Sequence, residues 1–219
     1  MSQELREAAY HEAGHALLMR HFGSQVESVE VLWNESELRW DGNTKRSGGS
    51  TPLYGTDENG RQYVDLDGPL QESTIALAGC LSQTKFLARL EDAKAVFSKE
   101  QEWSALFEWM NDEQPEQLQP YPIRFQTQGA VLSIEAHPRS FGGQDRTVFL
   151  KQRNTIKGIL IVPLGSFYDG LQEMLVDAMQ FLDEPQTWSS ISALSNALID
   201  GCDKDGRGKI SDGLDALLG

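Results

Sequence analysis

Three residues near the start of the chain have types and a spacing suited to metal chemistry. They are His11, Glu12 and His15, within the run A-A-Y-H-E-A-G-H. On an α-helix, residues i and i+4 lie on one face a single turn apart, so the two imidazoles can bind one zinc ion. The glutamate between them can then act as a general base toward a water molecule that the metal activates. The pattern therefore predicts a hydrolytic zinc centre.

A helix must place these side chains on one face, and the periodicity of the surrounding sequence predicts one. It is expected over Gln3–Phe22, with Gly23 as its C-terminal stop. The stripe expected to be buried has i, i+3, i+4, i+7 spacing and comprises Leu5, Ala8, His11, His15, Leu18 and Phe22. Two inward histidines beside a glutamate, whose burial is costly without a partner, favour a metal site over two ordinary core histidines.

A catalytic zinc also needs a third protein ligand, and one candidate lies on the same helix. His21 falls where the extended motif H-E-x-x-H-x-x-G-x-x-H has its third histidine. That motif needs a glycine at position 18 so that the chain can turn back toward the metal, and this sequence has Leu18. If the helix continues through Leu18, His21 points away from His11.

The composition limits the classes of partner and compartment. The 219 residues, 39% of them hydrophobic, suffice for one large domain or two small ones. With 19 Lys and Arg against 33 Asp and Glu, the net charge of −14 argues against nucleic-acid or anionic-membrane binding. The sequence has no long apolar run, no signal-peptide-like start and no phosphate-binding G-x-x-x-x-G-K-[ST] motif. Cys80 and Cys202 form no disulfide framework, so a reduced, cytoplasmic setting is expected.

The remaining pattern predicts an α+β protein that is mainly helical. Val26–Trp33 alternates apolar and polar residues as a half-buried strand does. The turn-rich region 34–51, with a short strand expected at Leu38–Trp40, is a candidate edge for strand addition by a substrate, or an ordinary surface hairpin. Further helices are predicted over residues 71–90, 99–110, 168–182, 188–199 and 212–218.

A proline-rich break at 111–122 precedes a change of composition. Residues 122–163 contain four short apolar runs separated by turn formers, which predict a small antiparallel β unit. The four runs are 123–127, 130–136, 147–151 and 158–163. His137, just before a proline, is interpreted as an ordinary loop histidine.

Three stretches of the chain resemble the peptidase domain of FtsH-type zinc metalloproteases. They are Y-H-E-A-G-H-A-L-L from Tyr10, I-A-L-A-G-C-L-S-Q at Ile75–Gln83, and W-S-S-I-S-A-L-S-N-A-L-I-D at Trp188–Asp200. The resemblance implies a single zincin-like domain over residues 1–219, with a small N-terminal β-hairpin or sheet and residues 122–163 inserted within it. It implies zinc-dependent hydrolysis of a peptide or protein substrate. The family's ATPase module and membrane anchors have no counterpart here, so ATP-independent action without a membrane partner is expected.

The resemblance also implies a third ligand beyond the first helix. The family uses an aspartate on a later helix, and E-W-S-A-L, starting at Glu102, lies at the matching place. Glutamate is acceptable there because two histidines and a glutamate are a known catalytic zinc set. Glu102 is therefore the expected ligand, with Asp92 and then Glu100 as the alternatives.

Two other functions remain open from the sequence. One is a non-catalytic binding or regulatory module on a peptidase-derived fold, which would use 122–163 as its contact surface. The other is a calcium response, since Asp203–Leu214 resembles an EF-hand loop. Arg207 occupies a ligand position in that loop, however, and Leu214 stands where a bidentate glutamate belongs. A polar turn between two helices is the favoured interpretation.

Overall fold

Helix α1 carries the histidine motif and spans Gln3–His21 in a computed structural model of the chain. The Ser2 hydroxyl accepts a hydrogen bond from the backbone N–H of Leu5 (3.2 Å), which caps the first turn. The helix ends before Gly23, whose φ of +78° is in the left-handed region that favours glycine. The helix predicted over Gln3–Phe22 is therefore confirmed.

The structure describes residues 2–47, 54–88, 94–95, 100–111, 120–127, 130–136, 141, 143–159 and 162–218. Within these ranges the other helices are α2 (Asp67–Leu87), α3 (Glu100–Asn111), α4 (Gly143–Lys157), α5 (Leu164–Leu182), α6 (Pro185–Asp200) and α7 (Leu214–Leu218). The strands are β1 (Gln25–Asn34), β2 (Arg39–Ser47), β3 (Tyr54–Thr56), β4 (Gln62–Val64), β5 (Lys94–Ala95), β6 (Tyr121–Gln126), β7 (Val131–Ala136) and β8 (Arg207–Ile210). Helices α2, α3, α5, α6 and α7 correspond to the five later helices predicted from the sequence.

The sheet that packs against α1 has the strand order β2–β1–β8, and both pairs are antiparallel. The strand predicted over Val26–Trp33 is confirmed as β1. Strand β2 is longer than the expected strand at Leu38–Trp40, because it pairs with β1 along the whole of β1. Residues 48–51, the last part of the turn-rich region 34–51, lie outside the described residues. In the part of the chain that the structure describes, β2 is an edge strand of this sheet.

The segment 122–163 is only partly a β unit. Strands β6 and β7 form the expected hairpin, and β5 pairs with β6 on its other side. The strand predicted at 147–151 is wrong, since these residues lie inside α4. Arg146, Phe149 and Ile156 are buried at helical spacing. The five residues 147–151 alone are too few to distinguish this helical period from the alternation of a strand. Of the strand predicted at 158–163, residues 158, 159, 162 and 163 are not in a strand, and 160–161 lie outside the described residues.

Helices α1 and α2 cross closely because each places a glycine against side chains of the other helix. A Cβ on Gly14 would overlap the side chain of Ser82 and lie 2.8 Å from the carbonyl oxygen of Ala78. Helix α6 packs on another side of α1, and α4 and α5 pack on α2. The fold is therefore α+β and mainly helical, as the sequence predicted. None of its described helices combines the length and apolar character that crossing a membrane requires.

Candidate metal centre

The two motif histidines point their Nε2 atoms at each other from successive turns of α1. The two Nε2 atoms lie 2.9 Å apart, and the side chains are 15% and 7% exposed for His11 and His15. His15 Nδ1 lies 2.7 Å from the carbonyl oxygen of Ile75, which can only accept, so Nδ1 carries the proton. His11 Nδ1 similarly faces Gln83 Oε1 at 3.2 Å. Because Ile75 and Gln83 of α2 contact the Nδ1 atoms, the Nε2 lone pairs of both histidines are directed into the space between the two rings. Metal-binding histidines adopt this orientation.

Gly79 of α2 is the backbone residue that makes room for the histidines. A Cβ at this position would lie 2.6 Å from His15 Nε2 and 2.5 Å from His11 Nε2. The small A-G-C step in the middle of α2 therefore lets the helix backbone approach the imidazoles directly. A methyl group there would have to displace both rings.

The first residues of α4 bring a carboxylate to the same point. Asp145 Oδ2 lies 2.9 Å from His11 Nε2, and Asp145 Oδ1 lies 3.3 Å from His15 Nε2. Asp145 is 134 residues from His11 in the chain. Since α4 packs on α2, the tertiary fold places this carboxylate opposite the face of α1 that carries the motif.

The three donor groups fit a small divalent cation. A four-coordinate zinc ion with bonds of about 2.0–2.1 Å separates neighbouring ligand atoms by about 3.3 Å. The three separations here are 2.9, 2.9 and 3.3 Å. Two neutral imidazoles and one carboxylate also match the ligand chemistry of catalytic zinc sites, which keep a fourth position for water. The donor types suit a divalent cation such as zinc, and the separations are within about 0.4 Å of the distance expected between zinc ligands.

Glu12 lies beside this cluster and is covered by the edge strand β2. Its carboxylate and the two histidines offer ligand atoms that all lie within 4.8 Å of one another, so His11, Glu12 and His15 could also hold a metal ion. Thr44 of β2 donates a hydrogen bond to Glu12 Oε2 (2.8 Å). Gly42 passes so close that a Cβ there would overlap the Glu12 side chain. Burial raises the pKa of Glu12, although the two histidines and the Thr44 hydroxyl act in the opposite direction.

The metal-free cluster is held together by a proton. Burial alone would lower the pKa of His15, but the Asp145 carboxylate, together with Glu12 and the carbonyl group of Ile75, outweighs burial and raises that pKa to about 9. Burial would likewise raise the pKa of Asp145, but His15 and His11 hold it well below its usual range. Without a metal, His15 is therefore protonated near neutral pH and hydrogen-bonded within the cluster.

The third ligand expected from the sequence is not among the groups that meet the histidines. The Glu102 carboxylate of α3 forms an ion pair with Arg124 of β6, and the carboxylate that contacts both histidines is that of Asp145. The fallback Asp92, the side chain of Glu100, and His137 lie outside the described residues.

His21 does not turn back toward the other histidines. It lies at the exposed end of α1, where it faces α5: its Nε2 is 2.9 Å from Asp177 Oδ2 and its ring stacks on Phe181. The continuous helix through Leu18 is the reason, as the missing glycine indicated.

Asp145 escaped the sequence reasoning because its surroundings were assigned to a β unit. The available signal was the helical spacing of Arg146, Phe149 and Ile156, which places Asp145 in the first turn of a helix. A first-turn aspartate is a common feature of helix N-termini, so its type alone indicates no ligand role.

The EF-hand-like segment contains a turn over residues 203–206 and then strand β8, which pairs with β1 and which the sequence did not predict. Asp203 Oδ1 accepts hydrogen bonds from the backbone N–H groups of Asp205 (2.9 Å) and Arg207 (3.0 Å). The Arg207 side chain, at a would-be ligand position, pairs instead with Glu30 of β1. These contacts agree with the interpretation as a polar turn.

Comparison with known proteins adds no family to this geometry. No protein-family model matches the chain, and no curated protein sequence matches it. The functional argument therefore depends on the arrangement of His11, Glu12, His15 and Asp145.

Proposed function

We propose that the protein is a zincin-like, zinc-dependent peptidase, with His11, His15 and Asp145 as the metal ligands and Glu12 as the general base. The observation that carries this proposal is the convergence of two Nε2 atoms and a carboxylate within 2.9–3.3 Å of one another. Asp145 is preferred to Glu12 as the third ligand because it contacts both histidines directly. Glu12 is hydrogen-bonded to Thr44 and is next to the metal position, which suits a base.

The chain's own residues would divide the reaction between them. A bound zinc ion would supply Lewis acidity, polarising the substrate carbonyl and lowering the pKa of water. Glu12 takes a proton from the attacking water as the water oxygen bonds to the carbonyl carbon. Glu12 then gives that proton to the amide nitrogen as the C–N bond breaks, so that an amine and a carboxylic acid leave. Burial raises the pKa of Glu12, which favours the step in which Glu12 donates the proton to the leaving amine.

A peptide substrate is supported by the position of β2. This edge strand carries Gly42 and Thr44 directly over Glu12, and its outer side has no partner strand among the described residues. An extended peptide can add to such an edge through backbone hydrogen bonds. Its scissile carbonyl would then run past the metal ligands and Glu12 together.

The first test is zinc stoichiometry by elemental analysis after dialysis against trace metal. The wild type should retain one zinc per chain, Asp145→Ala should lose it, and Glu102→Ala should keep it because Glu102 pairs with Arg124 elsewhere. Loss of zinc in Glu102→Ala with retention in Asp145→Ala would overturn the ligand assignment. No zinc in a folded wild type would overturn the metal centre.

The second test separates catalysis from metal binding. Glu12→Gln should keep its zinc and lose hydrolysis of an unfolded protein substrate by a factor of about 100 or more, since one general base typically supplies 10²–10⁴. Full hydrolysis by Glu12→Gln would reject Glu12 as the base. Zinc without hydrolysis in the wild type would favour the non-catalytic binding module instead.

A further inference from the structure

Arg146, the residue after Asp145, is buried although it carries a permanent charge. It is 3% exposed, and it lies in the first turns of α4 among aromatic side chains. Its guanidinium carbon is 5.1 Å from the centre of the Phe141 ring and 5.4 Å from that of Trp109. Burying an arginine is costly unless its donors are used, so its hydrogen bonds indicate why it is there.

Those hydrogen bonds tie the first turn of α4, which carries Asp145, to two other chain segments. Arg146 Nη1 donates to the carbonyl oxygens of Trp109 (2.7 Å) and Met110 (3.2 Å), in the last turn of α3. Arg146 Nε donates to the carbonyl oxygen of Phe141 (3.2 Å), just before α4 begins. The carbonyl groups at a helix C-terminus carry partial negative charge, which makes the end of α3 a good partner for a cation.

The backbone between these anchors would not be rigid without them. Gly143, the first residue of α4, has a φ of +56°, in the left-handed region that favours glycine, and a glycine restricts the backbone less than any other residue. Asp145 follows two residues later. Arg146 donates hydrogen bonds both to Phe141, which precedes Gly143, and to the C-terminal end of α3. These hydrogen bonds hold the turn from which the Asp145 carboxylate projects.

We propose that Arg146 is a positioning residue for the metal ligand Asp145, holding the first turn of α4 against the end of α3 so that the carboxylate meets both histidines. This inference rests on the metal centre proposed above. A ligand must be held within about 0.5 Å of its productive position, and partners that orient a ligand typically contribute 10–100-fold to metal affinity. Arg146 itself touches neither metal nor substrate.

The test uses the full chain and Co²⁺ as a spectroscopic probe of the zinc site. Arg146→Met should weaken Co²⁺ affinity by about 10–100-fold, and Arg146→Lys, which keeps the charge but not the fork of donors, should recover part of it. Phe149→Leu is the matched control, because Phe149 is equally buried on the same helix and donates no hydrogen bond. It should lower the melting temperature yet leave Co²⁺ affinity unchanged.

Hydrogen–deuterium exchange on the metal-free protein gives a second, metal-independent readout. Arg146→Met should speed exchange in residues 143–150 and at the end of α3, but not in α1 or α2. Unchanged Co²⁺ affinity in Arg146→Met, or a loss matched by Phe149→Leu, would overturn the proposal. If Arg146→Met does not fold, Arg146→Lys takes its place. Its Co²⁺ affinity and its exchange rates are then compared with those of Phe149→Leu by the same criteria.

If the wild type binds no Co²⁺, the proposed metal centre is wrong, but hydrogen–deuterium exchange still tests whether Arg146 positions Asp145. A local rise in exchange around Asp145 would keep Arg146 as the residue that positions it. A uniform rise throughout the chain, or none, would reject that role.

Discussion

Among the described residues, two clusters of charged side chains lie beside α2 and satisfy their charges in different ways. One is the ion pair of Lys85 and Asp183, with Lys85 Nζ 2.7 Å from Asp183 Oδ1. The other is the cluster of His11, His15 and Asp145. The side chains of Lys85 and Asp183 are 4% and 7% exposed, and those of the histidine cluster are 7–19% exposed, so the clusters differ mainly in how completely each satisfies its own charges.

The Lys85–Asp183 pair is complete in itself. Its second carboxylate oxygen accepts a hydrogen bond from the backbone N–H of Ala95 (2.7 Å), and Lys85 Nζ lies 4.8 Å from the centre of the Trp188 ring. Burial raises the pKa of Asp183, while the contact with Lys85 opposes that shift. One positive and one negative charge cancel, and nothing further is needed for the pair to be stable.

The histidine cluster lacks one positive charge. Two neutral imidazoles cannot hydrogen-bond to each other through two Nε2 lone pairs, and the nearby carboxylate adds negative charge. A proton on His15 or a metal cation supplies what is missing. This dependence on a proton or a metal cation, in contrast to the closed ion pair, is what makes the cluster a candidate metal site.

The largest effect is expected from breaking the closed pair. Lys85→Met leaves Asp183 buried without its cation, so the free energy of unfolding should fall by about 3–5 kcal/mol in urea denaturation. The double variant Lys85→Met/Asp183→Leu should recover most of that loss, because both charges are gone. Zinc stoichiometry should stay at the wild-type value in both variants. A loss of zinc would mean that the two clusters are not independent.

A smaller effect is expected from pH on the metal-free protein. The folded pKa of His15, about 9, is above its ordinary value of 6.5, so its stabilising contribution is complete below pH 6.5 and is lost as the pH rises to 9. The folded pKa of Asp145 is below its ordinary 3.8, so its contribution is lost only in acid. Between pH 6.5 and 9, unfolding free energy should fall by roughly 1–3 kcal/mol.

The control for this pH dependence is Asp145→Asn, which removes the carboxylate that raises the His15 pKa. Its unfolding free energy, measured with a chelator present, should change much less between pH 6.5 and 9. Saturating zinc should also abolish the fall, because the metal replaces the proton. Equal slopes in wild type and Asp145→Asn would show that His15 and Asp145 are not coupled.

The smallest effect concerns the hydrogen bond that supports Glu12. Thr44→Val keeps the shape of the side chain but removes the donor to Glu12 Oε2, so kcat/KM for peptide hydrolysis should fall about tenfold, equivalent to about 1.4 kcal/mol. Thr44→Ser should retain most activity because it keeps the hydroxyl. Since the Thr44 hydroxyl lowers the pKa of Glu12, the acid limb of activity in Thr44→Val should move to higher pH.

The parts of this site that depend on local spacing were predictable from sequence. The motif and its helix follow from an i, i+4 pattern and a Gly23 stop, both within one short segment. The third carboxylate was not predictable in the same way, because it comes 134 residues later. Glu102 was chosen by resemblance to a family pattern, whereas the fold brings α4 rather than α3 to the histidines.

The placement of β8 has a consequence for how the chain folds as it is synthesised. β1 pairs with β8 from Val29 opposite Ile210 to Leu32 opposite Arg207. At 5–20 residues per second, a ribosome needs on the order of 10–30 s to make the residues that separate these strands. During that interval the β8-facing edge of β1 lacks its native partner, and an open strand edge is a site for wrong pairing. Because β2 pairs with the opposite edge of β1, the β8-facing edge stays open to wrong pairing until β8 has been made.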